Sequence, residues 1–383
     1  MKLTAWYTPR KLGGVEAFLH RYARHERDLA IAATTSLDGP IEVDARMLDW
    51  TSFGAAFNRR MPSAPACELL QRDLNVLRPS VININDCLEF GIGAVPLLRA
   101  LKPHAVIVDV MHIDHPDDAF LENRRHYLDA LDAIIATSRH TIERFRKYHR
   151  SDLPARYVPC GIELTRVHRT PPPDDKLQLL YVGRLVEEQK RVMLLPEILR
   201  AVRRPFHLTV VGDGPDRARL QDALPDATFT GFVDPDRVAP LYASSDLLLN
   251  VSSYEGFAIT VMEAFAAGCV PLITDLPSLD REMLRDGENC FLTQVEKMAD
   301  ILNAVTREQL ALMSAKAMDA APALSIERTV RDYDAFFAEL GAGKQPWRDV
   351  ALKPWDISED NPWLPAPTFA KRLAVRLRKW TRP

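Results

Sequence analysis

Two glutamates spaced by eight positions, Glu255 and Glu263, frame the stretch of this 383-residue chain with the most evident chemistry. They bound Glu255-Gly256-Phe257-Ala258-Ile259-Thr260-Val261-Met262-Glu263, which follows an apolar run at 247–251 and the turn residues Ser252-Ser253-Tyr254. A strand, a glycine turn and a helix start leave backbone N–H groups beside the turn, where an anion can sit. With a helix beginning near Phe257, Glu255 projects from the loop ahead of it. Glu263 then lies on the helix, roughly 9–12 Å further on. One extended ligand fits that distance, its diphosphate at the helix end and its polar groups met by a carboxylate on either side. On a plain structural reading, Glu255 is a dipole partner of the helix and Glu263 a solvated residue. Glu263 stands in the otherwise apolar Val261-Met262-Glu263-Ala264-Phe265-Ala266-Ala267, however, and a carboxylate there needs a partner.

A diphosphate that departed from a ligand at such a turn would develop negative charge that must be stabilised. Arg184, in Val182-Gly183-Arg184-Leu185, and Lys190 can supply two fixed cations. An isolated pair of this kind would read as surface residues, but a position just after a strand carboxyl end is where α/β sheets bind ligands. The usual alternative to such cations is a metal. The D-x-D at Asp234-Pro235-Asp236 reads better as a helix N-cap followed by a first-turn proline, so no metal and no cofactor are expected. Gly212-Asp213-Gly214-Pro215 opens like a dinucleotide fingerprint, yet Arg217 occupies the third glycine position, which argues against NAD. Gly13-Gly14, between a short first strand and a helix, either admits phosphates or acceptor close to the backbone or is a simple turn. His112 opens His112-Ile113-Asp114-His115; with no third ligand evident, a polar loop histidine is the default.

The elements that must hold these residues read as α/β. Strand-length apolar runs fall at 30–35, 81–85, 105–110 and 133–137, with amphipathic stretches at 15–28 and 141–148 between them. Further runs fall at 177–182, 207–211, 228–230, 247–250 and 270–273. Pro171-Pro172-Pro173 marks a semi-rigid linker between two halves of similar size. Composition agrees: 47% hydrophobic and 26% charged residues describe a folded globular chain. Its net charge of −3, from 49 basic and 52 acidic residues, argues against a nucleic-acid partner. Five scattered cysteines without a C-x-x-C pair point to reduced thiols and a cytoplasmic location. Pro9, Arg10 and Lys11 interrupt any signal core, and no run of eighteen apolar residues occurs.

Taken in order, these pieces resemble the E-x7-E retaining glycosyltransferases of family 4, which have the GT-B fold. The resemblance covers most of the second half: the Gly183-Arg184-Leu185 strand end with Lys190, the Gly212-Asp213-Gly214-Pro215 turn, and Gly231-Phe232-Val233 on the nucleotide side. Leu241-Tyr242-Ala243-Ser244-Ser245-Asp246 and Ala267-Gly268-Cys269-Val270-Pro271 complete it. The first half matches more thinly, through Gly13-Gly14-Val15-Glu16, Met111-His112-Ile113-Asp114, Ala136-Thr137-Ser138 and Val158-Pro159-Cys160-Gly161. Many relatives carry Asn where this chain has Cys160.

The resemblance implies two Rossmann-like lobes facing across a cleft. An acceptor-side lobe would occupy 1–170 and be completed by a crossing helix near 325–342; a nucleotide-sugar lobe would occupy 176–324. It also implies retaining, metal-independent transfer of a sugar from a UDP- or GDP-linked donor to a hydroxyl of a glycan or lipid-linked acceptor. Glu255 would hold the sugar hydroxyls, Glu263 the ribose, and the N–H groups near Gly256, Phe257 and Ala258 the diphosphate. Arg184 and Lys190 would neutralise the leaving group, and His112 would face the sugar. Gly13, Gly14, Gly212 and Val233 complete the expected donor contacts. Alternatives on the same lobes are a nucleotide-sugar epimerase and an inactive glycosyltransferase-like subunit.

Beyond 343 the chain changes character. Pro-Trp recurs at 346–347, 354–355 and 362–363, and residues 366–383 carry six cations and no acid. Phe369, Leu373, Leu377 and Trp380 share one helical face, which suits peripheral contact with an anionic membrane near a lipid-linked acceptor. Docking of this extension onto the acidic surface of the first lobe and a loose solvated end are the alternatives.

Overall fold

The computed structural model describes residues 1–6, 13–34, 45–50, 64–86, 98, 104–164 and 176–349. The chain divides into two units, one formed by Met1–Val158 with the segment from Val330 onward, the other by Pro159–Thr329. The proline linker at 171–173, Cys87, the two later Pro-Trp pairs and the basic tail lie outside the described residues.

The first unit contains β1 (Lys2–Trp6), α1 (Gly14–His25), β2 (Leu29–Ala33), β3 (Arg46–Asp49), α2 (Ala64–Leu77), β4 (Val81–Asn85), β5 (Val106–Met111), α3 (Ala119–Glu122), β6 (Ala133–Ala136), α4 (Arg139–His149) and β7 (Ala155–Tyr157). Its described strands pair in parallel in the order β3-β2-β1-β4-β5-β6-β7. Alternate residues such as Leu3, Ala5, Ile82, Ile84 and Ile107 face one continuous apolar core.

The second unit contains β8 (Leu177–Val182), α5 (Glu187–Lys190), α6 (Leu194–Arg200), β9 (Phe206–Val211), α7 (Arg217–Ala223), β10 (Thr228–Gly231), α8 (Pro235–Ala243), β11 (Leu247–Asn250), α9 (Ile259–Ala266), β12 (Val270–Thr274), β13 (Phe291–Thr293), α10 (Met298–Ala304) and α11 (Arg307–Ala320). Its sheet is also parallel, in the order β10-β9-β8-β11-β12-β13. A last helix, α12 (Ile326–Gly341), starts in this unit and ends in the first. In the first unit Tyr333 packs 5.5 Å from Tyr22, the Arg156 guanidinium lies 4.2 Å from the Phe336 ring, and Lys2 pairs with Asp334. Trp347, of the first Pro-Trp pair, packs on the core of the same unit.

Cys67, Cys160, Cys269 and Cys290 are buried as thiols. Among the described residues no helix is long and apolar enough to cross a membrane.

Candidate active site

Each sheet reverses its strand order once, between β1 and β4 in the first unit and between β8 and β11 in the second. A parallel sheet opens a crevice at such a reversal, beyond the carboxyl ends of the two strands. In the second unit the residues just past β8 are Gly183-Arg184, and those just past β11 lead to Glu255. Topology alone therefore brings Arg184 and Glu255 to one place, though 71 residues separate them in sequence.

Glu255 is 7% exposed, and one oxygen of its carboxylate takes three partners. Lys190 Nζ lies 2.5 Å from Oε1, and the same oxygen accepts from Ser252 Oγ at 2.6 Å and from Asn250 Nδ2 at 3.4 Å. Burial alone would push this carboxyl up. The Lys190 charge, with the hydrogen bonds from Lys190, Ser252 and Asn250, outweighs it and holds Glu255 below the ordinary glutamate range. Arg184 is exposed, and its Nη2 donates to Gln189 Oε1 at 3.0 Å.

Helix α9 starts at Ile259, two residues later than the spacing suggested, because Ala258 adopts φ 52°. That left-handed residue ends a loop of Gly256, Phe257 and Ala258, all buried, and offers no side-chain cap. The first turn of the helix thus keeps N–H groups without intrahelical acceptors at the loop. Glu263 has the partner its apolar surroundings called for: Tyr242 Oη donates to Oε2 at 3.0 Å.

Gly212 follows β9 at φ 131°, and a Cβ there would stand 1.9 Å from the Gly183 carbonyl oxygen. Only glycine lets these two strand ends come together. Past β10, Phe232 is 53% exposed and Val233 half-buried. Pro235 opens α8 directly after Asp234, as the capping reading of that D-x-D expected.

The first unit has its own polar cluster at the β1/β4 reversal. His112, just after β5, is 5% exposed; Asp86 Oδ2 accepts from its backbone N–H at 2.6 Å. Its Nε2 lies 2.9 Å from Asn85 Oδ1, while the Asn85 amide donates to the Ala5 carbonyl at 3.3 Å. Burial, with Arg124 nearby and against the pull of Asp109, lowers His112 to about 4. The neutral ring therefore donates from Nε2 and keeps Nδ1 as its acceptor nitrogen. His115 takes separate partners: its Nδ1 accepts from the Asp117 N–H at 3.0 Å, and its ring stacks on Phe120. Gly13 caps α1, where the Glu16 carboxylate accepts from its N–H at 2.9 Å, and Gly14 is exposed at the first helical position.

Asn250, Ser252, Gln189 and Tyr242 were not singled out for roles in the sequence, although each now touches a residue that was. Tyr242 carried a signal, the need of Glu263 for a partner. The other three are uncharged polar residues within five positions of the residue they touch, and nothing in the sequence distinguishes them from ordinary turn residues.

Residues 176–308 match the family described as "Glycosyl transferases group 1". A GDP-mannose-dependent alpha-mannosyltransferase of Mycolicibacterium smegmatis is 33% identical over 260 residues, covering 63% of this chain and 68% of that protein. Another, from Corynebacterium glutamicum, is 36% identical over 124 residues, covering 32% of this chain and 29% of the relative. Anabaena HepE, solved in complex with UDP and glucose, shares the fold at a TM-score of 0.71 and 17% identity, over 88% of this chain and 99% of that one.

Proposed function

The chain belongs to the group 1 glycosyl transferases and has their two-lobe α/β GT-B fold, and we propose that it transfers a mannosyl group from GDP-mannose to a hydroxyl acceptor with retention. The donor is inferred from the named mannosyltransferase relatives. The observation that carries the activity is the buried Glu255 carboxylate, kept ionised by Lys190 beside the first turn of α9.

In this reading Glu255 accepts hydrogen bonds from the sugar hydroxyls and orients the ring. The loop N–H groups of Gly256, Phe257 and Ala258 face the diphosphate. Glu263, steadied by Tyr242, holds the ribose hydroxyls. Arg184 and Lys190 offset the charge that grows on the leaving diphosphate, so these two side chains supply the cations that a metal would otherwise provide. The loops at Gly13-Gly14, Gly212 and Val233 give backbone contacts to the donor, and neutral His112 contacts the sugar. The bond from the anomeric carbon to phosphate oxygen breaks as the acceptor oxygen bonds on the same face. The acceptor proton passes to the departing phosphate oxygen, so no enzyme nucleophile is needed. A lipid-linked or glycan acceptor fits this chemistry, and the basic segment 366–383 is proposed to bring the enzyme to an anionic membrane.

Thermal shift with GDP and UDP, followed by product analysis with GDP-mannose in the presence of EDTA, tests the proposal. We expect GDP to raise the melting temperature and an α-linked product to form. Stabilisation by UDP alone would overturn the donor, a β-linked product the stereochemistry, and no response to any nucleotide the activity itself.

A further inference from the structure

Five consecutive loop residues, 251–255, are each held by the tripeptide Gln189-Lys190-Arg191. Arg191 Nε donates to the Val251 carbonyl at 2.7 Å, and its Nη2 to the Ser252 carbonyl at 2.9 Å and Thr274 Oγ1 at 3.3 Å. The Gln189 carbonyl accepts from the Ser253 N–H at 2.8 Å, while its side-chain amide donates to the Tyr254 carbonyl at 3.2 Å. Lys190 meets Glu255 itself. Arg191 makes its contacts from φ 46°, a left-handed backbone that glycine adopts without cost and arginine does not. An arginine held there by three side-chain hydrogen bonds points to a task that glycine could not perform.

We infer that Gln189 and Arg191 are positioning residues: together they seat the loop that carries Glu255, and Gln189 ties that loop to Arg184. The inference rests on the reading of Glu255 as the sugar-binding carboxylate. Gln189 divides its amide between the two halves of the site, its oxygen taking Arg184 and its nitrogen the loop. The cation for the leaving group and the carboxylate for the sugar are thereby kept in register. A shift of about 1 Å in such a pair costs about 100-fold in rate.

Arg191→Gly separates positioning from stability, because glycine relaxes the backbone while removing the guanidinium. In that variant we expect an unchanged or raised melting temperature, faster amide exchange across 251–256, and a kcat lowered about 10- to 100-fold. Added guanidinium ion should restore part of the rate in Arg191→Gly and none in Gln189→Leu, whose kcat should fall similarly. Unchanged exchange in Arg191→Gly, a wild-type kcat in either variant, or rescue of both by guanidinium would overturn the inference. If the wild-type protein shows no transfer while Arg191→Gly still speeds exchange in the loop, the functional reading fails and the clamp stands.

Discussion

Each unit buries a carboxylate against a cation near its strand-order reversal, and the two pairs behave differently. In the first, Asp109 and Arg124 are 0% and 1% exposed; Arg124 Nε lies 2.7 Å from Asp109 Oδ2, its Nη2 meets Asp86, and Tyr127 donates to Asp109 at 3.0 Å. Burial still wins there, and it pushes both Asp109 and Asp86 above the ordinary aspartate range. In the second, Lys190 keeps 16% exposure, Glu255 has three donors on one oxygen, and its carboxyl falls below the ordinary range. The same ingredients thus make a sealed strut in one unit and, in the other, a buried loop anion whose cation is partly exposed. A sealed pair serves stability, whereas a charge that must meet a substrate has to keep a route to water.

This contrast can be broken at either end. Removing the cation from the strut, as in Arg124→Leu, leaves two aspartates buried without their partner. We expect a loss of about 3–5 kcal/mol, read by denaturant unfolding. A loss below about 1 kcal/mol would mean that the cluster is not a strut. Glu255→Gln keeps the donors from Ser252 and Asn250 but removes the charge. It should lower kcat about 100- to 1000-fold with little change in melting temperature, and a stability loss equal to that of Arg124→Leu would erase the distinction drawn here.

His112 offers a subtler test, through pH. Its folded-state value of about 4 lies below the ordinary 6.5, so the unfolded chain takes up a proton that the folded one refuses. Stability from this residue is fully present above about pH 6.5 and is lost as pH falls toward 4, by about 1–3 kcal/mol. His112→Gln should flatten the fall in melting temperature between pH 7 and 5; an unaltered slope would place the titration elsewhere. The smallest effect belongs to Tyr242→Phe, which strips one hydrogen bond from Glu263. About 0.5–1.5 kcal/mol of donor binding should go with it, seen as a raised KM at unchanged kcat.

Much of the architecture was legible in the residue pattern. The strands at 81–85 and 177–182 are found at those bounds: VININ alternates β-branched residues with asparagine, and LQLLYV is apolar apart from Gln178, both patterns of a strand that packs at least one face on a core. Three strands were not foreseen: β3, β7 and β13, with sequences RMLD, ARY and FLT. All three are sheet edges, half solvated and short, so they lack the apolar run that marks an interior strand. Asp109 had a legible signal, a lone acid inside the apolar strand VIVDVM, but nothing nearby in sequence names Arg124 as its answer.

The order of motifs along the chain determined the fold class and the candidates Arg184, Lys190, Glu255 and Glu263, because local geometry dictates what a glycine turn ahead of a helix can bind. Only the tertiary structure decided what each candidate touches. Lys190 pairs with Glu255 across 65 residues, Tyr242 reaches Glu263 from another helix, and Ala258 takes a left-handed turn that delays α9 by two residues. Such pairings arise when strands far apart in sequence become neighbours at the point where a sheet reverses its order. Hydrogen bonds and ion pairs act over a few ångströms of space, whatever the length of chain between their partners.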